Sequence, residues 1–174
     1  QYEIAEGLYK KGWTIDIFAS DFNLSKRQFY YLKSLELTRS QVISGMNWHW
    51  LKVFPYKKNN WKRYINIFSF SMHVFFRLII DSFRYSIHQN SPQVILASSP
   101  QLPAAFISLL AAKLFKKPFI LEVRDLYPQV LIDQGGRKSS SFFIKFFTMM
   151  EKFLYRNSSH IIVLAKGSKK YVKE

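Results

Sequence analysis

The sequence predicts an α/β fold in which a parallel sheet carries helices on both faces, and three observations lead there. Two short apolar runs, Val94 to Ala97 and Phe119 to Val123, flank an Ala/Leu-rich stretch of helical spacing, the pattern of a strand, helix, strand unit with parallel strands. Two further apolar runs, Trp13 to Ala19 and His160 to Leu164, read as strands of the same sheet. Segments of helical period separate these runs, and that alternation is what a doubly wound sheet requires.

Each element has its own justification. Residues 2 to 10 place Tyr2, Ile4, Ala5, Leu8 and Tyr9 roughly on one face of a helix that Gly12 stops. The chain opens inside that helix with Gln rather than Met, so a preceding strand and glycine-rich turn are expected to be missing from it. The sheet should then show a gap or an exposed strand edge. Residues 21 to 41 are polar and give no firm element. Gln41 to Ser44 and Trp50 to Pro55 read as short strands joined by a turn around Gly45 to Asn47. Trp61 to His88 is a long helix, because Asn66, His73, Arg77, Asp81, Arg84 and His88 recur at separations of seven, four, four, three and four. The rest of its circumference is apolar, wide enough to cover a sheet and leave residues over for a membrane. A Gly135-Gly136 loop and the serines at 139 to 141 precede another helix to about Arg156, and Lys166 to Glu174 begins a basic one.

Composition bounds the chemistry. With 174 residues, 48% of them hydrophobic, the chain has the size of one domain with a real core. A net charge of +15 and an aromatic content of 18% make a surface that attracts phosphates, in nucleic acid, anionic lipid or a phosphate-linked sugar. There is no cysteine, hence neither a disulfide framework nor a thiolate metal site. His49, His73, His88 and His160 lack ligand spacing and read as surface or helix-boundary histidines, so no metal is expected. The first residues have no signal-peptide pattern, and the apolar region from Ile65 to Phe83 carries too many polar groups for a membrane span. A soluble or peripheral chain is expected. The stretch from Trp48 to Tyr64 holds five basic residues, no acidic one, and six interleaved aromatics. Trp48, Trp50, Lys57, Lys58, Trp61, Lys62 and Arg63 are therefore the candidate contacts to a membrane surface.

Candidate chemistry gathers where two strands should stop. Ser98, Ser99 and Pro100 end the first, and Arg124, Asp125, Tyr127 and Pro128 follow the second, so both clusters fall on the rim where open parallel sheets bind ligands. Glu122 and Arg124 are two residues apart and are expected to pair on one face of the strand. Arg124 would orient a phosphate or hydroxyl, and Asp125 would fix Arg124 or a substrate hydroxyl. The alternative is that the pair merely stabilises the rim. Ser99 and Gln101 stand at the start of a helix, whose free N–H groups attract an anion or a sugar oxygen, although capping by Ser99 explains that serine equally well. Gly135 and Gly136 would let a substrate approach the backbone, or simply make a turn.

Four blocks carry a resemblance to a known family: YEIAEGLYKKGWTIDIFASDFN, FPYKKNNWKRYINIFSFS, VILASSPQLPAAFISLLAAKLFKKPFILEVRDLYP and EKFLYRNSSHIIVLAKGSKKYV. In that order they resemble the amino-terminal, acceptor-side domain of a family 4 retaining glycosyltransferase of the two-domain GT-B architecture. The subgroup most similar extends lipid-linked sugars in bacterial surface-polysaccharide biosynthesis. The resemblance implies a Rossmann-like domain spanning residues 1–174 as a fragment, with the nucleotide-sugar-binding carboxyl-terminal domain absent from it and the fragment alone inactive. It further implies a lipid-linked sugar acceptor, a UDP- or GDP-sugar donor held mainly by the missing domain, no cofactor, and a place in the cytoplasm at the inner face of the cell membrane. Arg124 and Asp125 would be catalytic, and Ser99, Gln101, Glu122, Tyr127, Gly135 and Gly136 would bind substrate. Similar enzymes often carry His-Asp where this chain has Arg124-Asp125, so the histidine role does not transfer.

Two rival readings start from the same residues. Interleaved basic and aromatic side chains suit single-stranded nucleic acid, but no nucleic-acid motif accompanies them. A dinucleotide-binding domain is disfavoured because no G-x-G-x-x-G occurs.

Overall fold

The computed structural model describes residues 2–23, 25–57, 61–88, 92–133, 141–165 and 167–173. The chain divides into two compact units, Gln1–Val74 and Phe75–Glu174.

The first unit opens with helix α1, Tyr2–Tyr9. Gly12, at a φ of 88°, closes it in the left-handed conformation that glycine adopts without strain. The N–H groups of Gly12 and Trp13 bond back to the carbonyls of Tyr9 and Leu8. Strand β1 is Asp16–Ser20, and β2 (Phe22–Asn23) and β3 (Gln28–Phe29) form a short antiparallel pair. Strands β4 (Thr38–Ile43) and β5 (Met46–Leu51) make a hairpin. Its two-residue turn, Ser44-Gly45, has positive φ at both positions, 52° and 78°, which suits the twist of the strands it joins. The turn therefore sits one residue earlier than expected, and the second strand runs from Met46 instead of from Trp50.

The sheet order is β1-β5-β4, with β1 parallel and β4 antiparallel to β5. His49 ties the three strands together: its Nδ1 lies 2.8 Å from Ser40 Oγ on β4 and its Nε2 lies 2.9 Å from Asp16 Oδ1 on β1. This histidine is buried in a strand, not at the surface, because its register partners Phe18 and Ser40 flank it on both sides.

Helix α2, Trp61–His88, has the predicted limits. Two positions of its polar stripe are turned away from solvent. Asn66 and Asp81 are buried, Asn66 donating to the Phe54 carbonyl at 2.7 Å and Asp81 accepting from Arg77 Nε at 2.9 Å. Phe68, Phe76 and Ile80 are exposed instead.

The second unit contains β6 (Ile95–Ser98), a 3₁₀ turn (Ser99–Gln101), α3 (Leu102–Leu114), β7 (Phe119–Val123) and α4 (Gln129–Asp133). It continues with α5 (Phe142–Asn157), β8 (His160–Val163) and α6 (Ser168–Lys173). The three strands are parallel in the order β6-β7-β8, with Leu121 opposite both Ala97 and Ile161. Alternation along β7 turns Phe119, Leu121 and Val123 into a core with Leu102, Ala105 and Leu109 of α3 and Leu154 of α5. Alanines 105 and 112 let α3 approach the sheet closely, and each large apolar side chain buried there contributes roughly 1.5–3 kcal/mol.

The mixed α/β class with parallel strands and helices is the one the sequence predicts. The single four-stranded sheet is not: β1 belongs to a different sheet from β6, β7 and β8. A strand joins a sheet only through a hydrogen-bonded neighbour, and among the described residues β1 pairs only with β5 and β6 only with β7.

Candidate functional site

The carboxyl ends of β6 and β7 are held together by one buried hydroxyl. Ser99 Oγ donates to the Asp125 carbonyl and accepts from the Arg124 N–H, both at 3.1 Å. Neither Ser99 nor any other side chain caps α3, whose N-cap is Gln101. Ser99 is a cross-link that sets the rim. Replacing it with Ala removes the hydroxyl that both backbone groups use, at an expected cost of about 1–3 kcal/mol, read as a lower urea midpoint at constant m-value. A variant as stable as the wild type would show the bridge to be dispensable.

The tether fixes the backbone of Arg124 and Asp125 while both side chains stand exposed. The expected ion pair between Glu122 and Arg124 does not form among the described residues. Strand β7 ends at Val123, so the two-residue alternation that would align Glu122 with Arg124 has stopped before Arg124 is reached. Glu122 is instead buried, 2% exposed, in register with Ser98 of β6. Three buried polar atoms, Ser98 Oγ, Gln101 Oε1 and Glu122 Oε2, have no hydrogen-bond partner among the described residues. An unsatisfied buried polar atom costs about 1–3 kcal/mol, so three at adjoining strand ends call for an explanation other than stability. Ser98, which the sequence places on the rim without a role of its own, lies in register with Glu122.

Tyr127 is not a rim residue of the same kind. Its ring packs edge-on against Phe147 at 5.5 Å, at the margin of the core. Gly135 and Gly136 lie outside the described residues.

The basic and aromatic stretch splits in two. Trp48 and Trp50 are half-buried, because alternation along β5 sets them side by side on one face. They stack on each other at 5.1 Å, Trp50 stacks on Tyr31 at 4.7 Å, and both indole nitrogens are buried. Lys57, Trp61, Lys62 and Arg63 are exposed, with the Lys62 ammonium 5.9 Å from the Trp61 ring centroid. Lys58 lies outside the described residues. Trp61, Tyr64 and Phe68 continue this exposure along the first turns of α2.

A further buried acid was not anticipated. Glu151 of α5 accepts from Tyr155 Oη at 2.7 Å and from Tyr171 Oη of α6 at 3.1 Å. Burial raises its carboxyl pKa above the ordinary value, a shift the two phenols partly oppose. The same burial, with the adjacent carboxylate, pushes the Tyr171 phenol up to about 12 and that of Tyr155 higher still. The arrangement fastens α6 to α5. Among the described residues no group of three or more His, Asp or Glu could hold a metal ion, and no helix is long and apolar enough to cross a membrane.

A family model described as a glycosyl transferase 4-like domain matches residues 1–174. No curated protein matches the chain.

Proposed function

The chain belongs to the glycosyl transferase 4-like domain family, and from that premise we propose that it binds the acceptor of a nucleotide-sugar-dependent glycosyltransferase, at the rim formed by the ends of β6 and β7. Membership supports a glycosyltransferase role in general. The observation that carries the finer reading is the set of unpartnered atoms on Ser98, Gln101 and Glu122, next to the exposed Arg124 and Asp125. A saccharide brings several hydroxyls that both donate and accept, which is what a carboxyl oxygen, a hydroxyl and an amide oxygen require.

The acceptor in this reading is a lipid-linked saccharide extended during bacterial polysaccharide biosynthesis, and the donor is a UDP- or GDP-sugar gripped mainly by a second domain of the GT-B architecture. Transfer with retention breaks the bond between the anomeric carbon and the β-phosphate oxygen and forms the bond from the acceptor oxygen on the same face, and the hydroxyl proton leaves with the nucleoside diphosphate. Arg124 would orient the acceptor's phosphate or hydroxyl, and Asp125 would hold a sugar hydroxyl. Exposed Lys57, Trp61, Lys62 and Arg63 support a peripheral position on the cytoplasmic membrane face, the cations attracted to anionic headgroups and the indole at headgroup depth.

The test uses the protein as its gene encodes it, incubated with labelled UDP- and GDP-hexoses and an extract of lipid-linked sugars. Label is expected in the lipid-linked product from one donor. Release of free sugar from the donor with no label entering the lipid fraction would contradict the acceptor assignment.

A further inference from the structure

The outer surface of α3 and α5 carries a feature that the rim does not use. At about 100° per residue, Phe142, Phe146, Met149 and Phe153 fall within an arc of about 60° on α5, and all four are exposed, Phe142 to 84% and Met149 to 63%. Lys145, Lys152 and Arg156 run beside this arc and line an open groove of about 590 Å³ whose floor includes Ile132 and Ile144. Helix α3 packs beside α5, with Phe106 against Phe153 at 5.5 Å and Lys113 hydrogen-bonded to Asn157. Leu110 and Leu114 of α3 are exposed as well, Leu114 to 63%. An apolar strip of this width would ordinarily be covered.

Charge identifies the cover. The sole acidic residue of α5, Glu151, is turned inward to the two tyrosines, and α3 has none. Every exposed ionisable side chain on the two helices is therefore a cation. A protein partner would have to bring carboxylates of its own to match the cations as well as the strip. A strip of Phe, Met and Leu beside a row of Lys and Arg, on two helices whose one carboxylate is turned inward, matches the acyl boundary of a bilayer beneath a layer of anionic headgroups.

We propose that the α3–α5 face docks on anionic membrane, with Phe142 and Met149 entering the acyl boundary and Lys145, Lys152 and Arg156 gathering lipid phosphates in the groove. This surface is made of other residues than those around Trp61 and does not depend on the transfer chemistry.

Vesicle co-sedimentation of the full chain tests it, with phosphatidylglycerol-rich and pure phosphatidylcholine vesicles as probes. The triple variant Lys145→Gln, Lys152→Gln, Arg156→Gln is expected to bind the anionic vesicles on the order of 100-fold more weakly at an unchanged thermal midpoint. Phe142→Ser with Met149→Ser should weaken binding about tenfold or more. All five side chains lie on the solvent face, so the fold is expected to survive. Undiminished binding by both variants overturns the proposal. A change confined to self-association in analytical ultracentrifugation also overturns it, because the face would then be a contact between copies of the chain. Loss of binding in Lys62→Gln, Arg63→Gln with none in the triple variant would place membrane contact at the start of α2 and exclude it here.

Discussion

Replacing Glu151 with Ala is expected to destabilise the protein by about 2–4 kcal/mol, because it strands the Tyr155 and Tyr171 hydroxyls in the interior and opens a void between α5 and α6. Glu151→Gln keeps the volume and an acceptor, and separates the charge from the packing. The folded state raises the Glu151 pKa above the ordinary 4.5, so it holds the proton more tightly than the unfolded chain. The stability linked to that proton is fully present below pH 4.5 and is lost as pH rises through the raised native pKa. The thermal midpoint of the wild type should therefore fall relative to Glu151→Gln between pH 4 and neutrality. A gap between the two proteins that stays constant with pH would show that Glu151 ionises as it does in the unfolded chain.

Much of this architecture was legible because certain segments carry a single unmixed period. Phe119–Val123 and Trp61–His88 have the limits their patterns predict, the first a short apolar run bounded by lysines and Arg124, the second a helix with one polar stripe. What failed was the inference from period to partner. The polar stripe of α2 follows from its period, yet two of its members, Asn66 and Asp81, have internal hydrogen-bond partners and are buried. Trp48 and Trp50 sit in a basic stretch of the sequence, but strand geometry groups residues two apart, and two indoles so placed stack on each other and are half-buried. The rim was legible to the extent that it follows from strand ends: Ser99, Gln101, Glu122, Arg124 and Asp125 do gather at the ends of β6 and β7. The link between Glu122 and Arg124 was misread because pairing depends on where a strand ends to within one residue. The Glu151 cluster could not be read as a cluster, since its third member, Tyr171, lies 20 residues further along the chain.

The largest effect on activity is expected at Arg124 and Asp125. Ser99 holds their backbone, and their exposed side chains make no hydrogen bond or ion pair among the described residues on which the fold relies, so truncation should leave stability intact. If these groups contact the acceptor as charge develops, each loss should lower turnover on the order of 100-fold or more.

The claim that this rim receives the acceptor is tested most directly by measuring kcat/KM for transfer to the lipid-linked acceptor alongside the thermal midpoint, in the wild type, Arg124→Ala and Asp125→Ala, each made in the protein as its gene encodes it. The predicted result is a collapse of kcat/KM in both variants at an unchanged midpoint. Full transfer activity in two stably folded variants would contradict it and remove the ends of β6 and β7 from the site.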